Sequence, residues 1–333
     1  MTLVMDDAMT RARAGDGDAF RELTEPHTHE LLVHCYRMLG SLQDAEDALQ
    51  ETLLAAWQGL HAFEGRSSLR TWLYRVATNR CLNARRAAGR RHAQEWNVPG
   101  LIPPEPSQLG EVVWLEPLPD AVDATAEALG PEARYEQTEA ISIAFVRALQ
   151  LLPPRQLAVL LLRDVLGFHA AEVAGMLGAT VESVNSLLKR ARSGLRHNRV
   201  DIDAEPAPAR HSAAERSILT AFVTAYQAGD VDAIVALLTD DAFMSMPPIA
   251  LEYVGRTAVG AFCAALFGSG RTFELELTGA NGQPAFGIYT RTPDGTRVGT
   301  GLLVLTLAGD RVSAMDWFEA ALLPRFGLPR TMA

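Results

Sequence analysis

Cysteine, lysine and long apolar runs are scarce in this chain of 333 residues, and each scarcity excludes something. Cys35, Cys81 and Cys263 are odd in number and widely spaced, which fits neither a disulfide framework nor a zinc knuckle. Small buried apolar positions suit them better. The longest uncharged apolar stretches, Leu157 to Leu162 and Gly301 to Ala308, fall far short of the roughly 20 residues that a membrane-crossing helix needs. Met1 to Thr10 carries Asp6 and Asp7 in place of a basic region followed by an apolar block, so it does not read as a secretory signal. A cytoplasmic protein without a membrane partner is expected. No histidine follows His211, which leaves the rest of the chain without an imidazole base or ligand, and no metal or cofactor is expected. Lys189 is the sole lysine among 30 basic residues. Arginine suits planar contacts with phosphates and base edges, although a GC-rich genome produces the same bias.

The net charge of −10 hides a division into blocks. Residues 1–97 hold 12 basic and 13 acidic side chains, 98–140 hold 1 and 9, 141–199 hold 8 and 3, and 200–333 hold 9 and 15. Eight arginines lie between His61 and Asn97 against Glu64 and Glu95, and five basic residues lie between Glu182 and Arg199 against one acid. An acidic chain with two such cationic foci can still hold a polyanion, because attraction follows the local field.

Three segments read as compact. Residues 14–98 show helical periodicity, and seven prolines from Pro99 to Pro131 then break any regular element across an acidic linker, 99–134. Helical patterning resumes over 135–200, and Ala204 to Ala209 forms a second, stiff linker. From 212 to 328, helical stretches precede runs of strand character (Arg271 to Thr278, Pro284 to Thr290, Arg297 to Ala308, Arg311 to Glu319), the pattern of an α+β domain.

Two helical blocks carry the chemistry. In Ser41 to Phe63, Leu42, Ala45, Leu49, Leu53, Ala56 and Leu60 form a buried stripe behind a Ser41 cap, and Asp44, Glu46, Asp47, Gln50 and Glu51 make the other face acidic. An ordinary solvated face and a docking surface for a basic partner both fit. On the next helix, from Leu69 to about Arg90, Arg75, Asn79, Asn83, Arg86 and Arg90 share an arc of roughly 80° at 100° per residue. Arginines suit phosphates, and the amides set among them can pair with base edges. Trp72 and Tyr74 precede the row, as stacking platforms for unpaired bases or as core. Further on, Ala170 to Leu177 and Val181 to Arg196 flank the tight turn Gly178-Ala179-Thr180, the spacing of a helix-turn-helix. The second of these helices sets Asn185, Lys189, Arg192 and Arg196 opposite an apolar arc, which suits the major groove. Glu172 can satisfy amides at the start of the first, where His169 replaces the usual serine.

These residues resemble a known family. Ala45-Glu46-Asp47-Ala48-Leu49-Gln50-Glu51, then Phe63-Glu64-Gly65-Arg66-Ser67-Ser68-Leu69-Arg70-Thr71-Trp72-Leu73-Tyr74-Arg75-Val76-Ala77-Thr78-Asn79, then Leu151-Leu152-Pro153-Pro154 and the helix-turn-helix are similar to the extracytoplasmic-function (group IV) sigma factors of the sigma-70 family. The resemblance implies a multidomain chain: an all-α region 2 over 14–98, the acidic linker over 99–134, and an all-α region 4 over 135–200. It implies core RNA polymerase as partner, its largest-subunit clamp helices meeting Asp44, Asp47, Gln50 and Glu51, and its flap carrying region 4. Promoter DNA is the second partner. Trp72, Tyr74, Arg75, Asn79, Arg80, Asn83, Arg86 and Arg90 would then serve the −10 element, with Asn79 holding a flipped base. Ser183, Asn185, Ser186, Lys189, Arg190 and Arg192 would serve the −35 element. Asn185 departs from the Arg or Lys of many relatives and would favour adenine.

Residues 212–328 resemble the SnoaL-like, NTF2-like cone folds, on Met246-Pro247-Pro248, Tyr253-Val254-Gly255-Arg256 and Pro324-Arg325-Phe326-Gly327-Leu328-Pro329. The resemblance implies an α+β domain that tunes activity in cis, with a small ligand left open and a separate anti-sigma protein not required. Asp316 and Trp317 are the candidates for its pocket or its domain contact. Catalysis is not expected. The linker, a mimic of nucleic acid in charge, would thread the polymerase RNA exit path or, in the free chain, cover a basic helix through Glu105, Glu111, Glu116, Asp120, Asp123 and Glu127. The rival reading is a helix-turn-helix regulator with a ligand-sensing or enzymatic NTF2-like domain, which leaves the acidic face and the Asn79 row without purpose.

Overall fold

The computed structural model describes residues 2–87, 93–98, 100–111, 114–120, 141–198 and 205–332. The chain divides into two compact units, Met1–Arg90 with Ala144–Arg199, and Arg91–Ile143 with Val200–Ala333. Among the described residues no helix is long and apolar enough to cross a membrane.

The first unit is helical. α1 (Thr2–Arg13), α2 (Gly17–Leu39), α3 (Leu42–Gly59) and α4 (Leu69–Ala87) form its first block. The Asp16 carboxylate caps α2 by accepting from the N–H groups of Asp18 and Ala19, and Gly40 ends it at φ 74°. Glycine is needed there twice over, since a Cβ would also lie 2.9 Å from the Gln150 side chain. Ser41 caps α3 through the Asp44 N–H at 3.2 Å. Leu31, Cys35, Met38, Ala45, Leu73, Ala77 and Cys81 are buried in this block. The second block holds α5 (Ile143–Gln150), α6 (Pro154–Leu160), a wide π turn (Leu161–Val165), α7 (Ala170–Leu177) and α8 (Val181–Asn198). Gly178 turns α7 towards α8 at φ 58°, and the Glu172 carboxylate accepts from the His169 N–H at 2.8 Å.

The second unit sets α9 (Ala213–Ala228), α10 (Val231–Leu237) and α11 (Arg256–Gly268) with an eight-stranded sheet. Its strands are β1 (Gln108–Leu109), β2 (Leu238–Met246), β3 (Ile249–Val254), β4 (Phe273–Ala280), β5 (Gln283–Arg291), β6 (Arg297–Ala308), β7 (Arg311–Glu319) and β8 (Thr331–Met332). The order is β1-β3-β2-β7-β6-β5-β4, with β8 on β6, and β2 runs parallel to β7. Aromatic side chains fill the space under the sheet: Tyr226 meets Phe267 at 5.1 Å and Phe273 at 5.8 Å, and Phe222 stacks on Phe286 at 6.2 Å.

Where it is described, the acidic linker is not free chain. β1 adds to the edge of β3, with the Ser107 N–H donating to the Glu252 carbonyl at 2.9 Å and the Gly110 N–H to the Ala250 carbonyl at 2.8 Å. The Tyr253 hydroxyl donates to the Pro104 carbonyl at 2.9 Å, and Trp96, which precedes the expected start of the linker but belongs to the second unit, packs edge-on against Phe262 at 5.9 Å. Asp123 and Glu127 lie outside the described residues. Prolines tolerate this edge position because an outer strand leaves backbone groups unpaired in any case.

Candidate nucleic-acid interface

The amphipathic pattern of α4 is realised in space. Leu69, Leu73, Ala77 and Cys81 are buried, while Arg75, Asn79, Asn83 and Arg86 are exposed on the other side and Arg80 is half-buried. Arg90 lies outside the described residues. The Asn79 Nδ2 donates to the Arg75 carbonyl at 2.8 Å and, more weakly, to the Met176 carbonyl at 3.4 Å.

The two aromatics behave differently from a stacking pair. Tyr74 is fully buried, its hydroxyl donating to Glu30 Oε2 at 3.2 Å and its ring edge-on to His34 and Phe168 at 5.1 and 5.3 Å. Burial, with the Glu30 charge behind it, pushes its phenol pKa up. The expectation of a base-stacking Tyr74 is therefore corrected: on the α4 helix its position belongs to the core stripe of Leu73 and Ala77. Trp72 is half-buried and tilted against Phe63 at 5.0 Å, a packing contact that leaves part of the ring exposed.

Two arginines of α4 outside the predicted row are tied into the helical unit instead. Arg70 pairs with Glu30 at 2.9 Å and lies over the rings of Tyr74 and Phe168 at 4.9 and 5.2 Å. Arg85 donates to the Met38 carbonyl at 3.0 Å, Gln150 Oε1 at 3.2 Å, and the carbonyls of Gln150 and Leu152 at 3.3 and 3.4 Å. Burial holds its pKa below the usual arginine value. The spacing already sets Arg85 roughly 100° away from Arg86 and off the row; what it could not give is the carbonyls that Arg85 meets.

On α3, Asp47, Gln50 and Glu51 are exposed and Asp44 is half-buried. Leu54 stands among them, 57% exposed, while Leu42, Leu49 and Leu60 are buried. Its signal was in the sequence: it follows Asp47, Gln50 and Glu51 by seven, four and three residues, so it shares their face.

On α8, Val184, Leu188 and Ala191 are buried, and Ser183, Asn185, Ser186, Lys189, Arg190 and Arg192 are all exposed. Arg192 makes a two-pronged ion pair with Asp164, both bonds at 2.8 Å, and that hydrogen bond raises its pKa. Asp164 thus occupies donors of Arg192 that the sequence reading offered to the major groove.

In the C-terminal unit, Met244, Met246, Met315 and Trp317 pack on the core. Side chains alternate along a strand, so Asp316 and its register partner Ser245 face the opposite side of the sheet. The Asp316 Oδ1 accepts from the Ser245 hydroxyl at 2.7 Å in a fully buried position. The two candidates thus point to opposite sides of the sheet, Trp317 against the core cluster and Asp316 against Ser245.

Comparison with known proteins gives the class. Residues 23–91 match sigma-70 region 2, residues 142–195 match sigma-70 region 4, and residues 219–315 match a SnoaL-like domain. The chain is 44% identical over 331 residues to the ECF RNA polymerase sigma factor SigG of Mycobacterium tuberculosis, covering 96% of this chain and 86% of that protein. It is 25% identical over 202 residues to the ECF RNA polymerase sigma factor SigW of Bacillus subtilis, covering 61% of this chain and all, 100%, of that one. Among solved structures, the M. tuberculosis extracytoplasmic-function sigma factor SigJ is similar in fold, with a TM-score of 0.60 and 21% identity over 87% of this chain and 93% of that one. The chain belongs to the extracytoplasmic-function RNA polymerase sigma factors, in the form that carries a C-terminal SnoaL-like domain.

Proposed function

We propose that this sigma factor divides its work among three faces. The acidic face of α3, with Asp44, Asp47, Gln50 and Glu51, docks on a basic surface of core RNA polymerase. The α4 row of Arg75, Asn79, Arg80, Asn83 and Arg86, with Trp72 beside it, takes the −10 element, and Ser183, Asn185, Ser186, Lys189, Arg190 and Arg192 of α8 take the −35 element. Tyr74 is left out because it is core. The C-terminal domain modulates these steps in cis, with no covalent chemistry, and the buried Asp316 is kept as a candidate for that domain's pocket or domain contact. Neither a ligand nor a separate anti-sigma protein is needed for this reading. The work takes place where polymerase and promoter DNA are, in the cytoplasm.

The observation that carries the reading is the pairing of charge with exposure. Each proposed face is the solvent side of a helix whose other side is buried, one acidic and two rich in arginine and amides. Separate faces should fail separately. Asn79→Ala is expected to lower open-complex formation about tenfold or more with little change in core affinity, whereas Asp47→Ala with Glu51→Ala does the reverse. Permanganate footprinting and a core-polymerase binding titration distinguish the two, and equal losses in both assays would contradict the assignment.

A further inference from the structure

Residues 141–199 hold three acids, and two of them serve helix starts: Glu172 accepts from the His169 N–H, and Glu182 stands in the first turn of α8. Asp164 does something else. It sits in the π turn Leu161–Val165, where the Leu166 N–H reaches back to the Leu161 carbonyl at 2.9 Å and the buried Leu161 and Leu162 anchor the turn. From there its Oδ2 accepts from Arg192 Nε and its Oδ1 from Arg192 Nη2, both at 2.8 Å. The guanidinium so held belongs to a side chain that is 55% exposed. Among the described residues, Arg192 is the only cation of α8 in an ion pair.

Arg192 shares a face with groups assigned to DNA, since it follows Lys189 by three residues and Asn185 by seven. The pair changes what that face offers. A carboxylate in contact with the guanidinium cancels most of its attraction for a phosphate at longer range, where net charge decides. The donors at short range survive. With Nε and one side of Nη2 committed to Asp164, the Nη1 hydrogens and the outer hydrogen of Nη2 are left for an acceptor at hydrogen-bond distance. Undirected charge binds any duplex, because every phosphate is alike, whereas a directed donor is satisfied only when the helix is seated in one register. The carboxylate also repels the backbone of a duplex seated wrongly.

We infer that Asp164 is a specificity-determining residue of the −35 contact: by pairing with Arg192 it lowers the affinity of α8 for DNA of any sequence and leaves the seated complex its directed donors. The inference rests on the assignment of α8 to the −35 element given above. Asp164 is then a positioning residue that acts on DNA through Arg192. Asp164→Ala releases the guanidinium, Asp164→Glu restores the pair, and Arg192→Ala removes the group through which the carboxylate acts.

The test uses holoenzyme assembled from core polymerase and the full chain. It is titrated over a range of salt concentrations with a promoter duplex that the wild-type holoenzyme selects from a random pool, and with a scrambled duplex of the same length. Asp164→Ala should bind the scrambled duplex about threefold or more tighter, with log affinity against log salt steeper by roughly one, the change expected for one added phosphate contact. Its preference for the selected duplex should fall by about threefold or more. Asp164→Glu should keep the wild-type slope, and Asp164→Ala placed in an Arg192→Ala chain should change neither reading further. Weaker binding of both duplexes at an unchanged slope would make the pair a brace between the π turn and α8 and overturn the inference. A steeper slope that persists without Arg192 would overturn the route through that residue. If Asn185→Ala and Lys189→Ala leave the preference for the selected duplex unchanged, the −35 assignment falls and the inference with it; if they lower it while Asp164→Ala does not, the inference alone falls.

Discussion

His34 shows how one buried side chain makes region 2 sensitive to acid. It lies between α2 and α4, with Nε2 at 2.9 Å from the Thr78 hydroxyl and its ring edge-on to Tyr74. Burial, and then the charge of Arg37, lower its pKa to about 3. The folded chain therefore holds a neutral imidazole where the unfolded chain, with the ordinary value of 6.5, takes up a proton. Stability from this residue is complete above pH 6.5 and declines as pH falls from there towards about 3, by at most roughly 1.4 kcal/mol per pH unit. Denaturant titrations at about pH 7 and about pH 5 should show this slope in the wild-type chain and a flatter one in His34→Gln, because glutamine has no proton to gain. Identical slopes would mean that another group sets the acid limit.

At the scale of single elements, what could be read from the sequence was what depends on local periodicity. Helices α3, α4, α7 and α8 follow from apolar spacing and their punctuation, including the Ser41 cap and Gly178. Strands β6 and β7 span the expected residues, Arg297–Ala308 and Arg311–Glu319. Strands β2 and β3 were not foreseen. β2 follows α10 without a break, and its Ala242–Met246 stretch is buried residue after residue, so it shows no polar alternation to separate strand from helix. β1 was illegible for a stronger reason: its partner is the edge of β3, about 140 residues later in the chain, and edge pairing leaves no local signature. The same limit explains Tyr74 and Arg85, whose roles are set by Phe168 and Gln150 of the second block.

Leu54 belongs to this scale because its meaning comes from the face of α3 around it. An exposed leucine ringed by Asp47, Gln50 and Glu51 has the arrangement of an interface anchor, apolar at the centre and polar at the rim. Leu54→Ser removes nothing from the fold, so unfolding should shift by less than about 0.5 kcal/mol. Core affinity should fall about tenfold or more, since burying a leucine side chain is worth roughly 1.5–3 kcal/mol. Paired denaturation and core-binding titrations test this, and a stability loss matching the affinity loss would assign Leu54 to the fold instead.

For the whole molecule, the joint packing of linker and C-terminal domain changes what truncation means. A chain ending at Glu205 does not simply lose an appendage. Leu101, Leu115, Leu118 and Ile141, each less than 10% exposed in the second unit, lose the domain they share it with. The edge strand β1 loses β3. Each uncovered side chain forfeits roughly 1.5–3 kcal/mol of burial, and a peptide that had a sheet to pair with becomes a substrate for proteases. The truncated chain should be cut within residues 93–120 at least about tenfold faster than the full chain under the same limited proteolysis, with cleavage sites read by mass spectrometry. Asp120→Ala, which removes the bonds that Asp120 makes to the Gly282 N–H of the β4–β5 turn and to Arg210 but keeps the sheet edge occupied, should fall between them. This ordering separates the turn from the sheet edge: if Asp120→Ala is cut as fast as the truncated chain, the turn alone holds the linker, and if it is cut no faster than the wild type, β3 does.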